Sequence, residues 1–215
     1  MNNRLTMELI DTSSHTMFEA CLAIYRESFP DHEKQPETVI ADRLINGVAT
    51  LYAGIRDGVP VCIAIIHHLR DLDGDLLDYF AVSPNGRGEG IGSAFLQIIF
   101  DLLRMERQSD SVNPERQRYL LIEVEHPDFG DNKKERNNRI RFYQKAGAVL
   151  LGSRYLLPPL GSAKHASEMR LMIFPGNMSN LTSQSLKKII SAIYTQVYGR
   201  MLSDPHLKLL IDLLR

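Results

Sequence analysis

Apolar positions recur along this chain at two spacings, and the switches between them mark out the elements. A short run near Met7 to Ile10 alternates like a strand, and Phe18, Cys21, Leu22 and Tyr25 then keep a helical stripe that predicts a helix over Met17 to Ser28. Proline restricts the residue before it, so that helix stops at Phe29-Pro30. A polar loop runs to Pro36, and Glu37 to Leu44 reads as a second helix. Two β-branched runs follow, Thr50 to Ile55 and Val59 to Leu69, separated by Arg56-Asp57-Gly58, a hairpin signal. A second turn at Asp73-Gly74 leads into the apolar run Leu76 to Val82, which completes an antiparallel meander of three strands. Ser83-Pro84-Asn85-Gly86 then turns the chain into a glycine-punctuated loop and a helix carrying Ile91, Ala94, Phe95, Ile98 and Leu102.

The second half keeps the alternation. Glu106 to Arg118 is polar, contains Asn113-Pro114 and reads as a loop before the strand Tyr119 to Glu125. After a connection from His126 to Lys134, Glu135 to Ala146 reads as a helix closed by Gly147. Ala148 to Leu157 and Glu168 to Phe174 are predicted strands, joined through Pro158-Pro159-Leu160-Gly161. Beyond Pro175-Gly176, Leu186, Ile189, Ile190, Ile193, Tyr194 and Val197 form an amphipathic stripe. Ser203-Asp204-Pro205 then starts a last short helix with Leu207, Leu210, Ile211 and Leu214. The expected organisation is one domain over 1–175 and a helical extension over 176–215, packed on its own domain or on a second subunit of a homodimer.

Composition narrows the class. A chain of 215 residues, 44% hydrophobic, can bury one sizeable core. With 25 Lys and Arg against 26 Asp and Glu, a net charge of -1 gives no global case for nucleic acid or an anionic membrane. Cys21 and Cys62 are too few for a disulfide framework, and no Cys/His spacing suggests zinc. The start lacks the apolar run of a signal peptide, and no later run is long enough to span a bilayer, so a cytoplasmic enzyme is expected. The sequons at Asn177 and Asn180 are then chance matches. Asp71, Asp73, Asp75 and Asp78 crowd one turn without the remaining ligands of a calcium loop, and they read as solvated, with Asp78 sharing a strand face with Phe80 and Val82. His67 and His68 point to opposite faces of their strand, one of them exposed.

The candidate chemistry centres on the loop. A strand that feeds a helix through glycines is an anion cradle, since uncrowded amides and the helix dipole both favour a phosphate. A dinucleotide fingerprint begun at Gly86 or Gly88 would need its last glycine where Ile91 or Ser93 stands, and a Walker loop needs a lysine the stretch lacks. What fits is Val82-x-Pro84 followed by Arg87-Gly88-Glu89-Gly90-Ile91-Gly92. This pattern closely resembles the pyrophosphate-binding loop of the GNAT superfamily, the acetyl-CoA-dependent N-acetyltransferases. Leu-Ile-Glu123-Val and Phe142-Tyr143-x-x-x-Gly147 resemble two further family motifs, and the resemblance runs over roughly residues 5–174.

The resemblance implies an α/β fold with a mixed, mostly antiparallel twisted sheet of about six or seven strands flanked by helices. It implies acetyl-CoA as co-substrate, no metal, and a small-molecule or peptide amine as acceptor. Phe80, Ala81, Val82, Arg87, Gly88, Glu89, Gly90, Ile91 and Gly92 would bind the cofactor, with a backbone amide near Phe80 to Val82 meeting the oxyanion. Glu123 matches the position that is the general base in relatives acetylating ribosomal-protein N-termini; a structural carboxylate is the competing reading. Tyr143 takes the place of the tyrosine that protonates the departing thiolate, or else it is a core tyrosine. Glu125 and Asp78 are reserve bases.

By the same resemblance Asp31, His32 and Glu33 lie where a cationic acceptor could be met, although a solvated loop explains them as well. Where family members often carry Asn and Ala ahead of the tyrosine, this chain has Arg136 and Arg139, and one of these is expected to neutralise a CoA phosphate. Two other functions fit the same motifs: a non-catalytic acyl-CoA-binding module, and an acyltransferase using a longer acyl donor.

Overall fold

The structure is a computed structural model describing residues 4–31, 33–70, 72–109, 118–161, 163–176 and 181–214. His32, Asp71, Asn113-Pro114 and the sequons at Asn177 and Asn180 lie outside the described residues. The elements run β1 Thr6–Leu9, α1 His15–Ser28, α2 Glu37–Ile45, β2 Ala49–Arg56, β3 Val59–Leu69, β4 Gly74–Val82 and α3 Ile91–Ser109. They continue with β5 Tyr119–Glu125, α4 Lys133–Lys145, β6 Val149–Leu150, β7 Tyr155–Leu157, β8 Ser167–Phe174, α5 Ser183–Ala192 and α6 Pro205–Leu213. The eight strands form one mostly antiparallel sheet in the order β1-β2-β3-β4-β5-β8-β6, with β7 also pairing β8.

The chain divides into two compact units, the first being Met1–His68, Leu77–Ser109 and Leu160–Ser162. Here Phe29 adopts an extended conformation (φ -118°, ψ 139°) before Pro30 and ends α1, as the proline requires. Asp57 and Gly58 both take positive φ, which closes β2 and β3 with a turn whose twist matches that of the strands. Leu22, Tyr25 and Ile40 from the helices pack with Leu51, Ile63, Ile65 and Tyr79 from the strands in one apolar cluster.

The burial of α3 differs from the predicted stripe. Ile91, Phe95, Leu96, Ile99, Phe100 and Leu103 are buried, whereas Ala94 is exposed and Ile98 and Leu102 are half-buried. A wider apolar face than the narrow predicted stripe is turned inward. The helix also runs on to Ser109, past the start of the predicted loop at Glu106. Its polar end is built of good helix formers, and Gln97 and Arg104 both bond Asp101 at helical spacing.

The second unit is Leu69–Leu76, Asp110–Pro159 and Ala163–Arg215. The strand predicted over Ala148 to Leu157 is two short strands, because Leu150 opposes Met172 while Tyr155 already opposes Met169. The chain between them bulges, and Arg154 leaves the ladder to pair with Glu168. Asp75 is not solvated: at 1% exposure it is a buried residue of β4, and Arg118 grips its carboxylate with two nitrogens. A buried charge needs such a partner, and the turn composition around it does not reveal one.

The C-terminal stripe packs inside this unit. Ile189, Ile190, Ile193, Tyr194, Val197, Leu207 and Leu210 form one cluster with Leu121, Leu151, Tyr155, Leu171 and Ile173. After α5 the chain widens into a π turn over Ile193–Val197, in which Tyr198 N–H bonds the Ile193 carbonyl at 3.2 Å. Asp204 caps α6 by accepting from the amides of His206 and Leu207.

Candidate functional site

In the first unit, β4 ends at Val82 and a short 3-10 turn over Pro84–Gly86 delivers the chain to Arg87. Ser83 N–H bonds the Val61 carbonyl at 2.8 Å and Arg87 Nε the Val82 carbonyl at 3.2 Å, which fixes both ends of the turn. Gly88 and Gly90 stand at φ 84° and 77°, where L side chains are strained, and a Cβ on either would meet nothing within 4 Å. Glu89 between them pairs with Arg56 at 2.5 Å. The first α3 bond runs from Ala94 N–H to the Gly90 carbonyl, so the amides of Ile91, Gly92 and Ser93 belong to the turn whose donors have no intrahelical partner. Exposed left-handed glycines ahead of a 19-residue helix make a backbone cradle with open space above it, and this fits a phosphate. Behind the loop, Ile91 and Ala81 are buried and the rings of Phe80 and Phe95 stack at 5.8 Å.

The second unit holds the carboxylate that sequence pattern singles out. Glu123 and Glu125 sit on one face of β5, both half-buried, alternating with the buried residues Ile122 and Val124. Tyr155 donates its hydroxyl hydrogen to Glu123 Oε1 and Tyr198 donates to Oε2. Neither tyrosine was singled out by sequence reasoning. The available signal was indirect, since a carboxylate in an apolar strand demands donors and the two amphipathic tyrosines lie in apolar runs.

Tyr143, on α4, is 6% exposed, and burial pushes its hydroxyl up to about 12 while nearby Arg139 pulls it down more weakly. Its hydroxyl therefore stays protonated at neutral pH. The two arginines of α4 meet groups of this unit. Arg139 pairs with Glu125, and Arg136 lies 3.9 Å from the same carboxylate while donating to the His126 carbonyl at 3.1 Å. Glu125 is thereby held in an ion pair. The 126–133 connection is tied to itself, with Asp128 N–H on His126 Nδ1 and Lys133 on the Asp128 carboxylate.

Asp78 lies in the first unit, its side chain 5% exposed and 3.1 Å from Arg43 of α2. Burial pushes its carboxyl up to about 6, and Arg43 pulls it back only in part. Next to it, the Tyr79 hydroxyl donates to the Glu33 carbonyl and accepts from Gln35 N–H, both at 3.0 Å, while Tyr25 donates to the Gln35 carbonyl. Both tyrosine hydroxyls are raised by burial, Tyr25 to about 12. The loop after α1 is therefore pinned rather than freely solvated, although Asp31 within it is exposed and paired with Lys34. His67 is fully buried, and His68, half-buried, bonds Thr50 at 2.8 Å, so neither histidine is exposed. Cys21 and Cys62 are buried free thiols, both pushed up to about 12 by burial. Among the described residues no group of three or more His, Cys, Asp or Glu could hold a metal, and no helix is long and apolar enough to cross a membrane.

With this geometry in hand, comparison with solved structures identifies the fold. A protein from Bacteroides thetaiotaomicron, described as an acetyltransferase of the GNAT family, superposes with a TM-score of 0.71 at 21% identity over 91% of this chain and 99% of that one. The ribosomal-protein-S18-alanine N-acetyltransferase of Escherichia coli gives 0.55 at 19% identity over 83% and 99%. A GNAT family acetyltransferase from Elizabethkingia anophelis with acetyl-CoA bound gives 0.50 at 14% over 80% and 98%. The chain has the GNAT fold. No family model matches the sequence, and no curated protein matches it either.

Proposed function

We propose that this protein is an N-acetyltransferase that moves an acetyl group from acetyl-CoA to a primary amine by direct transfer, in the cytoplasm, where both are met. The observation that carries the reading is the Arg87–Gly92 loop: within a GNAT fold, Gly88 and Gly90 hold positive φ at the entry to α3. The amides of this loop would hold the pyrophosphate of acetyl-CoA, which supplies the acetyl group as a thioester. Arg87 and the α3 dipole favour the anion there.

An ammonium cannot attack a thioester, so a base must first take a proton from the acceptor. In this reading Glu123 is that base, acting directly or through water. Tyr143, neutral because of its burial, gives its proton to the departing thiolate, and an amide near Phe80 to Val82 meets the oxyanion. Asp78 is the second candidate base, since its raised carboxyl is protonated and deprotonated near neutral pH.

The test is release of CoA by the purified protein from acetyl-CoA across a panel of amines. The panel should include a peptide with an N-terminal alanine, because the Escherichia coli protein of like fold is named for that acceptor. Turnover with one acceptor class, with KM for acetyl-CoA raised tenfold or more in Gly88→Ala with Gly90→Ala, supports the reading. Tight CoA binding without turnover on any amine would favour a non-catalytic acyl-CoA-binding module, and turnover only with a longer acyl thioester would favour the wider acyltransferase.

A further inference from the structure

Glu123 is held by two phenols that reach it from different parts of the chain. Tyr155 belongs to β7 and is fully buried; Tyr198 follows the π turn after α5 and is half-buried. Each takes one oxygen of the carboxylate, so the group is fixed in rotation as well as in position. Tyr198 is itself well located. Its N–H closes the π turn on the Ile193 carbonyl, and its ring lies edge-on to Tyr194 at 6.5 Å. The Tyr194 hydroxyl is anchored on the Leu156 carbonyl at 2.6 Å, and Arg200 donates to the Pro159 carbonyl. The segment after α5 thus makes polar contacts within unit two on Glu123, on Leu156, on Pro159 and, through Gln196, on the backbone of Arg70.

We infer that Tyr198 is a positioning residue for Glu123 in acetyl transfer, which makes the C-terminal helices a working part of the site. The inference rests on the reading of Glu123 as the base. A base must present a lone pair to the acceptor in one orientation, and a carboxylate on a half-buried strand face can rotate away unless both oxygens are tethered. Each tether takes one lone pair of its oxygen and leaves others for the acceptor proton. When Glu123 takes that proton, it becomes a neutral carboxylic acid and the amine gains its free electron pair; both phenols keep their own protons. The π turn is what allows this, since its extra residue advances Tyr198 relative to the α5 stripe while Ile193, Tyr194 and Val197 stay in the core.

Two full-length variants, Tyr198→Phe and Glu123→Gln, test this side by side. Removing a donor disfavours the charged form of a carboxylate. Tyr198→Phe is therefore expected to lower kcat about tenfold, leave KM for acetyl-CoA unchanged and move the acid limb of kcat/KM to higher pH. The same shift is expected in the titration of the Glu123 carboxyl followed by NMR with labelled glutamate, a readout that needs no acceptor. An unmoved titration and acid limb overturn the inference, whether kcat is unchanged or falls together with the melting temperature. Full activity in Glu123→Gln instead removes the base reading itself, whatever Tyr198→Phe does. An inactive Glu123→Gln beside an unaltered Tyr198→Phe removes only the present inference.

Discussion

Arg118 grips the carboxylate of Asp75 with Nε at 2.8 Å and Nη2 at 3.0 Å, and the carboxylate is 2% exposed while the guanidinium remains 41% exposed. This bidentate pair joins the start of β4 to the start of β5. Arg118→Ala leaves the Asp75 charge buried without its fork, and with discounting for the solvated arginine the expected cost is about 2 kcal/mol. Urea unfolding should show a lower midpoint with an unchanged slope. A midpoint within error of the parent would mean the pair contributes nothing net.

The Asp78 carboxyl predicts a pH dependence with a definite sign. Its folded value of about 6 lies above the ordinary 3.8, because burial outweighs the nearby Arg43. The folded state binds this proton more tightly than the unfolded chain does. The stability it contributes is therefore fully present below about pH 4 and lost as pH rises through about 6, on the order of 3 kcal/mol in all. Relative to Asp78→Asn, the parent should lose stability across that window and then run parallel to the variant. A constant difference between the two from pH 4 to 7 would contradict this.

Gly88→Ala with Gly90→Ala places a Cβ at two positive-φ positions in open, exposed backbone. The strain is about 1 kcal/mol per site, so stability should fall by about 2 kcal/mol unless the loop relaxes. CoA affinity, measured by calorimetry, is expected to fall tenfold or more, since the amides that would meet the phosphates are re-aimed. Unchanged affinity would place CoA elsewhere.

Arg136→Ala with Arg139→Ala should leave KM for acetyl-CoA within about twofold and lower stability by about 1 kcal/mol, because Arg139 is paired with Glu125 and Arg136 donates to the His126 carbonyl. A large rise in that KM would restore the phosphate contact expected from sequence.

Tyr79→Phe removes the hydroxyl that joins Glu33 and Gln35. We expect a loss of about 1 kcal/mol. If the loop after α1 borders the acceptor, as the family resemblance implies, KM for the amine should rise while KM for acetyl-CoA stays constant. Equal effects on both would separate the loop from acceptor binding.

What could be read from sequence was local. The end of α1 at Pro30, the Asp57-Gly58 hairpin and the glycine cradle each follow from constraints acting within a few residues, and each is in place. Even the need for partners at Glu123 was legible, since an apolar strand tolerates a carboxylate only when something satisfies it. The identity of those partners was not. Tyr155 lies 32 residues away and Tyr198 lies 75 away, and neither has a spacing or motif that ties it to β5. Asp75 reads as solvated because its neighbours are turn residues, yet Arg118, 43 residues away, neutralises it inside the fold. Periodicity and turn chemistry act along the chain, whereas charge satisfaction is decided by whichever side chains the folded sheet and helices bring into reach. Sequence thus sufficed for most of the elements and for the positive-φ glycine loop ahead of α3, whereas the neutralising partner of each charge came from long-range packing that no local pattern encodes.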